Sequence, residues 1–146
     1  IIISDDSANS IFFTFYSTYF STNLELSGIS KLTIFSSSIT TLQLGDEISI
    51  FDSNRIFNYD DCTNQIGGPL VGNGVWQGDQ LDIISIGSVD YFDIGEVEPS
   101  DYVISNPIII KVWDSSKQIP KVGSLEYLSG GGIFSDISTS VSELIF

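Results

Sequence analysis

Apolar and polar residues alternate along much of this chain with a period of two. That is the spacing of a pleated strand whose successive side chains point to opposite faces. Glu47, Ile48, Ser49, Ile50 and Phe51 follow a Gly45-Asp46 turn in this pattern. Residues 23–27 and 31–35 read as a strand pair around Gly28, and residues 70–76 and 80–86 as a second pair around Gln77-Gly78-Asp79. Gly78 falls where such a turn takes a left-handed backbone. Residues 108–114 (IIIKVWD) form a core strand by composition, and 122–128, 133–137 and 141–146 complete the count. Between them, 55–69 and 87–106 are polar stretches that read as long loops. Ala occurs once, at Ala8, while Ile, Val, Phe, Tyr, Thr and Ser dominate, which suits strands and disfavours helices. The pattern predicts a single all-β domain over residues 1–146, with about nine or ten strands in a two-sheet antiparallel β-sandwich, Ig-like or jelly-roll-like.

The segment from Ile11 to Phe20 departs from simple alternation. Ile11, Phe13, Phe15 and Tyr19 occupy one parity, and Phe12, Tyr16 and Phe20 the other. A strand with aromatics on both faces needs cover on both faces. Residues 1–22 are therefore expected to serve as an intersubunit or donor strand, with Ile11, Phe13, Phe15, Tyr16, Tyr19 and Phe20 as the interface. Trp76 and Trp113 are each embedded in apolar strands, so core packing is expected of both.

Composition narrows the function. Hydrophobic residues at 42% supply a core and argue against disorder. No apolar run approaches the roughly 18 residues that span a bilayer, and no signal peptide is visible. The chain begins at Ile1 and has no Met, which suggests a processed chain or a segment of a longer one. Nineteen acidic residues against five basic ones give a net charge of −14. Phosphate backbones and anionic membranes would be repelled, so neither nucleic acid nor membrane insertion is expected.

Candidate chemistry is sparse. His is absent, which removes the commonest general base and excludes a Ser-His-Asp or Cys-His site. The single Cys62 can form no internal disulfide and no Cys-based zinc site, and reads as a small buried or loop residue. Gly67-Gly68 and Gly130-Gly131-Gly132 lack the Lys-Ser or Lys-Thr of a P-loop and read as turns. A glycosidase needs only two carboxylates, but among nineteen acids a nearby pair is inevitable and therefore uninformative. The expectation is that the chain is not an enzyme.

The best ligand candidate is calcium, held by side-chain oxygens of Asp52, Asn54, Asp60 and Asp61. Oxygen-rich loops suit this hard cation, although the spacing is not that of an EF-hand. The competing reading is a solvated acidic loop with Asx turns. A second acidic stretch, Asp90, Asp93, Glu96, Glu98 and Asp101, reads as a soluble loop face.

Three strings carry a likeness: GDEISIFD at 45–52, LVGNGVW at 70–76 and PIIIKVWD at 107–114. Together they resemble a β-sandwich module found in virion structural proteins of marine phages, especially cyanophages, and in large secreted proteins of aquatic bacteria. The likeness covers about residues 30–146 and carries no catalytic residue. It implies a non-enzymatic module that assembles with copies of itself or with other structural proteins. The leading expectation is a virion structural protein: a head decoration, fibre or appendage subunit. One alternative is a secreted, extracellular filament or adhesin module assembled by strand donation. Another is a calcium-assisted glycan-binding domain.

Overall fold

A computed structural model describes residues 2–4, 12–14, 19–20, 29–56, 66–87, 102–135 and 137–146. In chain order the strands are β1 (Ile2–Ser4), β2 (Phe12–Thr14), β3 (Ile29–Phe35), β4 (Glu47–Asp52), β5 (Arg55–Ile56), β6 (Ile66–Gly67), β7 (Leu70–Val75), β8 (Leu81–Gly87), β9 (Ile108–Asp114), β10 (Ile119–Ser129) and β11 (Ser138–Ile145). No helix occurs among the described residues, so the all-β expectation holds. Among the described residues, β1 pairs only with β2, and β5 only with β6. The other seven strands form one sheet in the order β7-β4-β9-β10-β11-β3-β8.

That sheet differs from the expected sandwich in two ways. It is one mixed sheet, because β3 runs parallel to β11 while every other ladder is antiparallel. It also curls nearly into a barrel. β7 and β8, expected to be hairpin partners, are its two ends. They meet by packing and not by a ladder. A Cβ on Gly72 would lie 2.9 Å from the Ile84 carbonyl oxygen, and one on Gly74 3.2 Å from Ile83 Cγ1. Two glycines at alternate positions of β7 thus let β8 press onto its backbone. The turn between them has Gly78 at φ +84° as expected.

Alternation decides what lies inside. Phe35 of β3, Ile48 and Ile50 of β4, Ile83 of β8, Ile110 and Val112 of β9, and Val141 and Leu144 of β11 form the core. Trp76 and Phe134 join it from connections, and Tyr102 stacks on Phe134 at 4.3 Å. Burying each such side chain contributes about 1.5–3 kcal/mol. Of residues 133–137, expected to be a strand, those described form no strand: Ile133 makes an isolated bridge to Pro107 and the Ile137 carbonyl accepts from Leu32 N. The turn at 134–135 instead drops Phe134 into the core.

The inner wall also carries polar groups. Lys31 and Thr33 share the parity of Phe35, Ser85 that of Ile83, and Thr139 that of Val141, and all four are buried. Thr33 faces Thr139 across the parallel ladder, and Lys31 faces Ser85 across the antiparallel one. The hydroxyls of Thr33, Ser85 and Thr139 have no hydrogen-bond partner among the described residues.

Candidate functional site

The string GDEISIFD folds as β4, whose six residues are all buried. Ile48 and Ile50 face the core, so Glu47, Ser49 and Phe51 face outward by alternation. The acids bracketing the strand hold other segments in place, each by accepting backbone N–H groups.

At its start, Gly45 takes φ +89°, a conformation that suits glycine. Asp46 Oδ2 then accepts from Gln43 N at 2.9 Å, and Oδ1 from Ser115 N at 2.9 Å and Ser115 Oγ at 3.0 Å. One carboxylate so ties the β3–β4 connection to the β9–β10 turn. That turn is closed by Asp114, whose Oδ1 accepts from Ser116 N, Ser116 Oγ and Lys117 N. Its Oδ2 lies 2.5 Å from Lys121 Nζ. The Lys121 hydrogen bond, then that of Ser116, holds the Asp114 carboxyl well below the usual carboxylate range, against the opposing effect of burial.

At the far end, Asp52 is fully buried. Its Oδ1 accepts from Asn54 N and Asn106 Nδ2, both at 2.9 Å. Its Oδ2 accepts from Val103 N at 2.8 Å and Asn106 Nδ2 at 2.9 Å. A carboxylate offers about four lone-pair positions, and here four contacts from the chain fill them. Of the calcium ligands expected from sequence, Asp52 and Asn54 therefore meet in a loop clasp. Asn54 contributes its backbone N–H to it. Asp60 and Asp61 lie outside the described residues, as do Cys62 and the acidic stretch 90–101. Among the described residues, no group of three or more His, Cys, Asp or Glu is arranged to hold a metal ion.

Glu47 acts differently. It points outward, and its Oε2 accepts from Tyr19 N at 2.5 Å and its Oε1 from Phe20 N at 3.2 Å. Asn73 on the neighbouring strand β7 donates from Nδ2 to the Phe20 carbonyl at 2.9 Å. The Tyr19 ring stacks on Trp113 of β9 at 3.8 Å and 6° between planes. Phe20 meets Phe51 edge-on at 5.7 Å, and Lys111 Nζ sits 4.5 Å from the centre of the Phe51 ring. Trp113 thus lies half-buried on the outer face beneath Tyr19, not in the core where Trp76 sits. The result is a small peptide-recognition site on the outer face of β7-β4-β9. A carboxylate takes two successive N–H groups, an amide takes the following carbonyl, and two rings hold two rings.

Of the interface residues expected from sequence, Tyr19 and Phe20 occupy this site within their own chain. Phe13 lies in β2, opposite Ile3. Ile11, Phe15 and Tyr16 lie outside the described residues. Glu47, Asn73 and Trp113 were not singled out as interface residues. The available signal was parity: Glu47 and Phe51 fall opposite Ile48 and Ile50, so an outward Glu–Ser–Phe row was visible but not its cover.

Comparison with family models, with curated proteins and with solved structures found no match.

Proposed function

We propose that this chain is a non-enzymatic structural subunit of a virion, a head decoration, fibre or appendage component of a marine phage. The observation that carries the reading is the Tyr19–Phe20 site. A short aromatic segment docks on the outside of a nearly closed β-framework through its backbone and two rings, which is the chemistry of subunit contact. Two further points support it. Asp46, Asp52 and Asp114 have their oxygens committed to donors of the chain, so these acids act as ties and not as free acids or bases. The three strings behind the resemblance also supply strands β4, β7 and β9, which build the outer face in question. The sandwich implied by that resemblance belongs to this proposal, as a reading of the curled sheet folded over its own core.

Immunogold electron microscopy on the source culture, with an antibody against this domain, tests the reading. Gold on phage particles is the expected result. Gold on cell-attached filaments, with bare particles, would overturn it in favour of the secreted filament or adhesin.

A further inference from the structure

We infer that the Tyr19–Phe20 segment is exchanged between copies of this chain, docking on Glu47, Asn73, Phe51 and Trp113 of a second copy. This deepens the assembly reading by naming the partner and the contact, and it rests on that reading only for its biological setting.

The site exists without the segment. β4 pairs along its whole length with β9 and, with one irregularity between Ile50 and Phe51, with β7, and neither Tyr19 nor Phe20 belongs to a strand. Tyr19 is 52% exposed, so water already reaches the rim of the contact and the segment can peel away while the barrel stays closed. Its departure would leave the Glu47 oxygens without the two N–H groups, and Trp113 and Phe51 without their ring partners. The occupant that restores all of these at once is another peptide with two adjacent aromatics presenting successive N–H groups. The structure shows one such sequence bound, and every copy of the chain carries it.

The length of the linker sets the reach of the transfer. Eight residues, 21–28, join Phe20 to the start of β3 at Ile29. Fully extended, such a linker spans at most about 26–29 Å, so exchange requires the neighbour's docking site to lie within that distance. The exchanged contact repeats the intramolecular one, so it costs little beyond bringing two copies together, and a high local concentration in an assembly supplies that. The net charge of −14 opposes approach of two copies. Exchange should therefore strengthen as salt screens that repulsion.

Two full-length variants test the exchange. Tyr19→Ala/Phe20→Ala keeps the site and loses the rings of the segment. Glu47→Gln/Trp113→Ala keeps the segment and loses the site. Each is refolded alone and as an equimolar mixture at moderate salt, with circular dichroism to confirm folding, and examined by sedimentation velocity. The mixture is expected to hold about tenfold more dimer than either variant alone, the weight of one stacked aromatic pair. A mixture that stays monomeric, with both variants folded, overturns the exchange. If the second variant fails to fold, Glu47→Gln alone replaces it. Mixed-isotope NMR on the unaltered chain gives an independent reading. Intermolecular Tyr19–Trp113 ring contacts at high concentration support exchange, and purely intramolecular ones overturn it. A monomeric mixture alongside gold-labelled particles would remove the exchange and leave the virion reading standing. Dimer without particle label would do the reverse.

Discussion

Replacing Asp52 by Asn separates a structural clasp from a calcium ligand. The side chain is fully buried and accepts four hydrogen bonds, from Asn54 N, Val103 N and twice from Asn106 Nδ2, at 2.8–2.9 Å. Asn preserves the volume but turns one acceptor into an NH₂ group, which would point at donors it cannot satisfy. Hydrogen bonds to a charged group contribute about 1.5–3 kcal/mol each, so two lost contacts would cost about 3–6 kcal/mol. Not having to bury a charge offsets part of this. The expected net loss is about 2–4 kcal/mol, read as a lower midpoint at unchanged slope in urea unfolding followed by Trp fluorescence. A loss below about 1 kcal/mol would refute the clasp, because an isosteric amide would then serve as well as the carboxylate. The same curves are recorded with EDTA and with calcium. The clasp predicts an identical Asp52→Asn penalty in both. If calcium raised the midpoint of the unaltered chain and not that of the variant, Asp52 would be an ion ligand.

Other expectations follow from particular contacts. The folded-state pKa of Asp114 is depressed below its unfolded value, chiefly by the Lys121 hydrogen bond. Its stabilisation is therefore fully present above the ordinary carboxylate range, near pH 4, and is lost as pH falls from there toward the depressed folded value. Urea midpoints should begin to drop as pH falls below about 5 and go on dropping below pH 3, and Asp114→Asn should flatten that drop; an unchanged slope would exclude Asp114 as its source. Gly72→Ala would set a Cβ 2.9 Å from the Ile84 carbonyl oxygen and should destabilise by about 1–3 kcal/mol in the same assay. Gly131→Ala, where a Cβ meets nothing within 4 Å, should stay within about 0.5 kcal/mol. Thr33→Val and Thr139→Val remove buried hydroxyls that have no partner among the described residues, so each should be neutral or stabilising by up to about 1 kcal/mol. A loss larger than that would mean the hydroxyl has a partner outside the described residues.

The strands were largely legible because alternation is local. Residues 47–51 emerged where period two placed them, 70–75 and 81–86 where the strand pair around Gly78 was expected, and 108–114 where composition placed a strand, and Gly78 took the expected turn conformation. Pairing was less legible, because it depends on contacts between distant segments. A short connection between β7 and β8 suggests a hairpin, yet Gly72 and Gly74 favour face-to-backbone packing and leave the two strands as ends of the sheet. The parallel β3–β11 ladder joins segments roughly a hundred residues apart, and no local pattern announces it. The site failed for a related reason. Acids in a β-rich chain read as solvated, but Asp46, Glu47, Asp52 and Asp114 are all buried. Each owes its burial to donors supplied by other turns or segments, among them Ser115, Tyr19, Val103 and Lys121. Trp113 was misplaced for the same cause: an apolar strand reads as core on both faces when its outer cover lies far away in sequence.

These buried acids divide by what they hold, and the division locates the part of the molecule that can change partners. Asp46, Asp52 and Asp114 bind turns and connections whose ends lead into the seven-stranded sheet. The β9–β10 turn held by Asp46 and Asp114 is fixed on both sides by a continuous ladder. Releasing such a turn would strain the strands it joins. Glu47 instead holds Tyr19 and Phe20, which join that sheet on one side, at β3. On their other side, β1 and β2 pair with each other and, among the described residues, with no strand of the large sheet. Local release is cheapest where the fewest ladder bonds must break with it. Similar carboxylate–amide chemistry therefore gives permanent ties at three acids and a releasable one at the fourth. If the reasoning holds, native-state hydrogen exchange should show the Tyr19 and Phe20 amides opening without the β4 and β9 amides. Equal opening free energies for all of them would mean that the segment leaves only when the barrel unfolds, and exchange between copies would then have no low-cost route.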